Sequence, residues 1–172
     1  IQEDLFTVYK NAFFLVHRTT PSSKIGRWGL LVALDLEQYD YAPDSRSMIR
    51  ATEGTILSRI PPRKEIRKNA PLELPHIMVL INDEKRSVIE PLAKKKERLP
   101  LAYETELMAG GGALKAWVVD SDEDMLKIAE SLDGMLDALP QDNPLLYAMG
   151  DGNHSLATAN SCWMDIRETL TE

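Results

Sequence analysis

Two short stretches of this chain carry the residue types that chemistry needs. The first is Gly150-Asp151-Gly152-Asn153-His154-Ser155, which ends the apolar run Leu145–Met149 and precedes a segment with a different hydrophobic period. A strand that feeds a helix through glycines points the free N–H groups of the first turn outward. Those amides and the helix dipole make an anion site, typically for phosphate. Gly152 lets the backbone approach an anion closely, Ser155 adds a hydroxyl and His154 a donor, while Asp151 can hold a metal ion or a hydroxyl. The same residues also suit an ordinary capped turn, with Asn153 or Asp151 satisfying the amides, and short glycine motifs often match by accident. No Gly-Lys-Ser/Thr follows, which excludes a Walker loop.

The second stretch is Arg50-Ala-Thr-Glu53-Gly-Thr55, followed by Pro61-Pro62-Arg63-Lys64-Glu65-Ile66-Arg67. Glu53, between threonines and a glycine and outside any strong hydrophobic period, can serve as a general base toward a substrate hydroxyl. Arg63 and Arg67, four apart, share a helix face and can grip phosphates bidentately. A surface helix with solvated charges would have the same pattern.

These residues need elements to position them. Tyr9–Thr19 and Gly29–Leu36 read as two strands of a hairpin. Residues 39–45 read as a loop, Ser47–Leu57 as a weak helix around Gly54, and Arg63–Lys68 as a short helix opened by Pro62. His76–Ile81 is a strand and Arg86–Arg98 a helix interrupted near Pro91. Glu106–Met108 and Ala116–Val119 flank Gly110-Gly-Gly as a hairpin. Ser121 with Asp124 starts a helix in capping-box fashion, and apolar residues from Met125 to Leu139 follow at helical spacing. After the strand Leu145–Met149, residues Leu156, Ala159, Trp163, Ile166 and Leu170 form one stripe on a helix of at least four turns. The pattern predicts an α/β (or α+β) fold, with a mixed sheet and flanking helices.

At 172 residues, 44% hydrophobic and 27% charged, the chain has the bulk of one ordinary domain. No linker, repeat or low-complexity tract divides it, so residues 1–172 are expected to form a single domain. It opens at Ile1 and closes just after a helical pattern, which suggests a fragment of a longer protein lacking its C-terminal portion. No apolar run reaches the length of a membrane span. The lone Cys162 suits a reducing cytoplasm. A net charge of −7 argues against nucleic acid as a partner. The run Lys94-Lys-Lys-Glu-Arg98 reads as a solvated helix face. Asp120-Ser-Asp-Glu-Asp124 lacks the spacing of a calcium loop and reads as negative charge at a helix start. His17 and His76, beside apolar residues in predicted strands, read as structural. Neither a zinc pattern nor a nucleophile elbow is present.

Taken together, "RATEGTILSRIPPR" and "GDGNHSLATA" resemble the bacterial family numbered 1015 among the domains of unknown function, whose relatives include free-serine kinases and, more distantly, ParB and sulfiredoxin proteins. The resemblance implies a ParB/sulfiredoxin-like nucleotide-binding core. It implies ATP or ADP with Mg²⁺ as cofactor, and a small hydroxyl-bearing molecule as phosphoryl acceptor. Glu53 would be the base, Gly152, Asn153, His154 and Ser155 the phosphate cradle, and Asp151 a second acidic group near metal or substrate. The alternatives are a non-catalytic nucleotide- or anion-sensing domain and a scaffold for a missing C-terminal part. Metal ligands, acceptor and oligomeric state are not specified. Two departures matter. Ser155 stands where the kinases carry arginine, removing a charge-assisted contact worth roughly 1.5–3 kcal/mol. Asn153 stands where sulfiredoxin needs cysteine, which excludes sulfinic-acid reduction; Cys162, two turns along, cannot replace it.

Overall fold

The computed structural model describes residues 5–170, which gather into two compact units, each built from two stretches of chain. Unit 1 takes the chain through Val32 and again over Asp83–Asp133; unit 2 takes Ala33–Asn82 and the stretch from Gly134 onward. Strands and helices are numbered in chain order.

Unit 1 is a four-stranded antiparallel sheet in the order β2-β1-β7-β6, formed by β1 (Phe13–Thr20), β2 (Ser23–Leu31), β6 (Leu101–Glu106) and β7 (Ala113–Val119). The aromatic and β-branched run of β1 favours this pleated, half-buried setting. The expected first hairpin forms, but its turn is tighter than expected: Thr20 pairs with Ser23 around Pro21-Ser22, so β2 begins six residues before Gly29. The second hairpin turns near Gly110-Gly-Gly, and Gly112 comes so close to the Thr19 carbonyl that no side chain fits there. Leu15, Ala116, Val118 and Val119 are almost fully buried.

The helix expected over Arg86–Arg98 is shorter, with α2 spanning Ile89–Lys94 and a 3-10 turn following at Lys96–Arg98. Pro91 lies in the first turn of α2, where a missing N–H costs nothing, so the helix breaks at Lys95 instead. The basic run is not wholly solvated, because Lys95 pairs with the buried carboxylate of Asp124. That carboxylate lies in the first turn of α3 (Asp122–Ala138), where the Asp124 N–H donates to Ser121 Oγ at 3.3 Å.

Unit 2 contains a mixed sheet in the order β3-β4-β8-β5, from β3 (Tyr39–Asp40), β4 (Ile49–Ala51), β5 (Met78–Ile81) and β8 (Tyr147–Asp151). β3, β4 and β8 run parallel, and β5 is antiparallel to β8. The weak helix expected over Ser47–Leu57 does not form. Ile49 is needed as a buried strand residue beside Tyr147, and a 3-10 turn at Leu57–Arg59 leads into α1 (Ile60–Arg67). Prolines 61 and 62 occupy the first turn of α1. This helix packs on α4 (Asn153–Arg167), and Tyr39, Ile49, Ile60, Met149, Leu156 and Ala157 close the core between helices and sheet. The stripe expected on α4 is buried only at Leu156 and Ala159; Ile166 and Leu170 are exposed. The buried side of the helix runs through Asn153, Leu156, Ala157 and Asn160, whose amide donates to the Leu36 carbonyl at 2.8 Å. The result is the mixed α/β architecture that the sequence pattern predicts. Among the described residues, no helix is long and apolar enough to cross a membrane.

Candidate functional site

The site is built where β4 and β8, parallel neighbours, both end. Their last registered pair is Ala51 with Met149. Asp151 is the last residue of β8, whereas Glu53 lies two residues past the end of β4, in the loop that follows it. Neighbouring strands lie about 4.8 Å apart. Both side chains are exposed, and neither has an ion-pair partner among the described residues.

Three hydrogen bonds tie the loop after β4 to the turn after β8. Thr52 Oγ1 donates to the Met149 carbonyl at 2.5 Å, across 97 residues of chain. The Ile56 N–H donates to His154 Nε2 at 3.0 Å. Asn153 Nδ2 reaches Thr55 Oγ1 at 3.4 Å. Glu53 therefore sits on a short bridge anchored on both sides of it. An Nε2 that accepts leaves the neutral ring's proton on Nδ1, which defines the tautomer of His154.

The helix starts one residue earlier than a cap at Asn153 would place it. Gly152 is the N-cap, at φ 91° and ψ 21°, a left-handed conformation that glycine adopts without strain. A Cβ here would lie 3.2 Å from both Cα and Cγ1 of Ile77. No side chain caps this end, and the first turn carries no acidic residue. The first helical bond is Leu156 N–H to the Gly152 carbonyl, which leaves the amides of Asn153, His154 and Ser155 as the turn's outward donors. The ordinary capped turn, with Asn153 or Asp151 satisfying the amides, is thus not what forms, since Asn153 turns its side-chain amide to Thr55 instead.

From beneath, Tyr39 supports the same turn, its buried hydroxyl donating to the Asn153 carbonyl at 3.3 Å. Burial, with Tyr41 and Asp40 nearby, pushes this phenol up to about 12. The group stays a neutral donor at any ordinary pH. Thr158 Oγ1 returns to the His154 carbonyl at 2.7 Å and steadies the next turn.

Arg63 and Arg67 make their contacts elsewhere. Arg63 Nη1 donates to the Arg59 carbonyl at 2.9 Å, and the Arg67 guanidinium grips the Glu73 carboxylate. Lys64 bridges α1 to α4 through Asp165 at 2.6 Å and Ser161 at 3.1 Å. His17 stacks on Trp28 and bonds the Ile25 carbonyl, whereas His76 lies outside β5, exposed, bonded to the Leu74 carbonyl. Among the described residues, no group of three or more histidine, cysteine or acidic side chains gathers to hold a metal ion. The residues that sequence reasoning passed over are Tyr39, Thr52 and Thr55. The two threonines flank Glu53 in the motif, so their anchoring role was within reach; nothing in the sequence marks Tyr39.

Over residues 1–172 the chain matches the family described as "Protein of unknown function (DUF1015)", and it belongs to that family. No curated protein and no solved structure matches it.

Proposed function

We propose that unit 2 binds the phosphates of a nucleotide at the start of α4 and transfers a phosphoryl group to the hydroxyl of a small molecule. The observation that carries this reading is the meeting of the two motifs. Asp151 ends β8, the loop carrying Glu53 is tied to the same strand through Thr52, and both adjoin a helix start that no side chain caps among the described residues. The ends of parallel strands are the usual place for ligands in α/β sheets.

In this reading the amides of Asn153, His154 and Ser155 receive the phosphate oxygens, with the Ser155 hydroxyl and the Nδ1–H of His154 as further donors. Glu53 accepts the proton of the attacking hydroxyl as the new O–P bond forms and the bond to the leaving phosphate breaks. Its exposed position, anchored through Thr52 and Thr55, gives it access to an incoming substrate. Asp151 is the side chain placed to hold a divalent ion. One or two carboxylates plus substrate phosphates suit Mg²⁺, which needs no all-protein cage. Mg²⁺ bound there supplies charge neutralisation on the phosphates. The ParB/sulfiredoxin-like nucleotide-binding core that the family resemblance implies would suit this reading.

The rival reading is a nucleotide- or anion-sensing domain without catalysis. Ser155 in place of arginine favours it, as does the commitment of Arg67 to Glu73. A calorimetric titration with ATP and with ADP, each with Mg²⁺, tests the binding step. Heat is expected from at least one nucleotide and is lost in Asp151→Ala. Glu53→Gln then separates the readings. A kinase keeps its nucleotide but loses phosphoryl transfer by roughly 10²–10⁴-fold, whereas a sensor is unchanged. No heat from either nucleotide overturns the kinase and the nucleotide-sensing readings alike.

A further inference from the structure

On the sheet face away from the helices, unit 2 holds a charged group without a counterpart. Side chains alternate along β4, so Arg50 points opposite to the buried Ile49. Its Nη1 donates to the Ser45 carbonyl at 3.1 Å and to Asn143 Oδ1 at 2.7 Å. Its Nε and Nη2 are shielded from water and have no hydrogen-bond partner. These two atoms form the side-on edge of the guanidinium, whose parallel N–H bonds match the two oxygens of a carboxylate. The opposite edge is already spoken for.

The carboxylate nearest in register does not fill that role. Asp40 pairs with Arg50 in the β3–β4 ladder, but its Oδ1 accepts the Ala42 N–H at 2.9 Å, within its own loop. No ion pair to Arg50 occurs among the described residues. Beside the guanidinium lies a cavity of about 340 Å³, lined by Pro43, Ser45, Arg50, Thr52, Leu145 and Ala148. That volume suits a small organic molecule. Its walls combine the arginine and the hydroxyl-bearing Ser45 and Thr52 with the apolar side chains of Pro43, Leu145 and Ala148. A half-buried cation with idle, water-shielded donors is costly, and an anion seated against them relieves that cost.

We infer that this cavity is a binding site for a small carboxylate, gripped bidentately by Nε and Nη2 of Arg50. Because Nε and Nη2 are closed to water, binding requires the 42–46 loop, whose Ser45 carbonyl holds Nη1, to shift. Arg50 begins the strand end that Thr52 and Glu53 continue, so an occupant lies next to the bridge described above. The inference stands whether or not a nucleotide binds at α4, since the grip rests on Arg50, which has no part in that reading.

The test follows the Arg50 Nε–H resonance of the full chain by ¹H–¹⁵N NMR, assigned through its loss in Arg50→Lys. Acetate, L-lactate and inorganic phosphate are titrated separately at constant ionic strength. Acetate or lactate is expected to shift the resonance saturably, with a Kd on the order of millimolar for so small a ligand. Tightness should fall at least tenfold in Arg50→Lys, followed through backbone amides of Thr52 and Ala148, because an ammonium cannot form the fork. Ala148→Leu, which fills the cavity and leaves the arginine in place, should abolish the response as well. Three outcomes overturn the inference: no saturable shift with either carboxylate, a response to phosphate alone, or an Nε–H that moves in Asp40→Asn but not with added anion.

Discussion

The two long helices of this chain begin in opposite ways. α3 answers its own first turn: Ser121 accepts the Asp124 N–H, and Asp122, Glu123 and Asp124 set negative charge against the positive end of the dipole. α4 begins on a bare glycine with no capping side chain and no acid in its first turn. One start is satisfied from within the chain, and the other faces outward with its donors unspent. The short helices α1 and α2 also lack a capping side chain on their N-cap residue, but prolines in their first turns remove donors there, whereas α4 has no such proline. The donors of α4 stay open beside Asp151, His154 and the loop that carries Glu53.

The largest effect that sharpens this contrast should come from Gly152→Val. A β-branched side chain at φ 91° is strained, and its Cβ would press on Ile77 at 3.2 Å. Urea unfolding should report a loss of about 2–4 kcal/mol. A loss below about 0.5 kcal/mol would mean that the turn relaxes freely, and the idea of a shaped cradle would go with it.

Tyr39→Phe comes next, removing the hydroxyl that holds the Asn153 carbonyl, at a cost of about 1 kcal/mol at neutral pH. Its pH dependence is more telling. Tyr39 titrates near 10 when unfolded and at about 12 in place. Between those values the unfolded chain has released a proton that the folded chain retains, so stability falls as pH rises; below 10 the contribution is whole. Denaturation followed from pH 9 to 12 should show a shallower decline in the phenylalanine variant. Burial of Tyr147 raises its phenol in the same direction and leaves a residual slope. Equal slopes in variant and parent would remove Tyr39 from the support of α4. The smallest effect belongs to the other helix: Ser121→Ala should cost about 0.5–1 kcal/mol in the same assay. No change at all would mean that the acidic first turn alone satisfies α3.

Much of this was legible in the sequence. The glycine knot at 150–155 announced a strand passing into a helix, and the hydroxyl and acid around Ser121 announced the other start. Both hairpins of unit 1 follow from aromatic and β-branched runs broken by turn residues. The misreadings have local causes. Around Ile49 the helical pattern was only weak, and a three-residue strand wedged between β3 and β8 is decided by its partners, not by its own period. The stripe on α4 had sound spacing but is only partly covered, because the helix presents Asn153, Ala157 and Asn160 inward as well. For the site, both motifs were visible separately. Their meeting was not, since it depends on the parallel pairing of Ala51 with Met149, far along the chain, that no local signal encodes. Arg63 and Arg67 had the right spacing for phosphate, but spacing is silent about partners, and Glu73 holds the second of them.

The strand order of unit 2 also sets a timetable. β8 lies between β4 and β5 although it is the last of the eight strands to be made. As the chain leaves the ribosome, β4 and β5 emerge with no common neighbour. The bridge carrying Glu53 has nothing to fasten to until Met149 and His154 follow. At about 5–20 residues per second that delay is on the order of 5–20 s. Through that interval Ile49 and Val79 have no β8 to pair with, and such unpaired edges attract aggregation or chaperones. A nascent chain halted before β8 would therefore be the form most in need of protection, and the site would be among the last features of the protein to come into being.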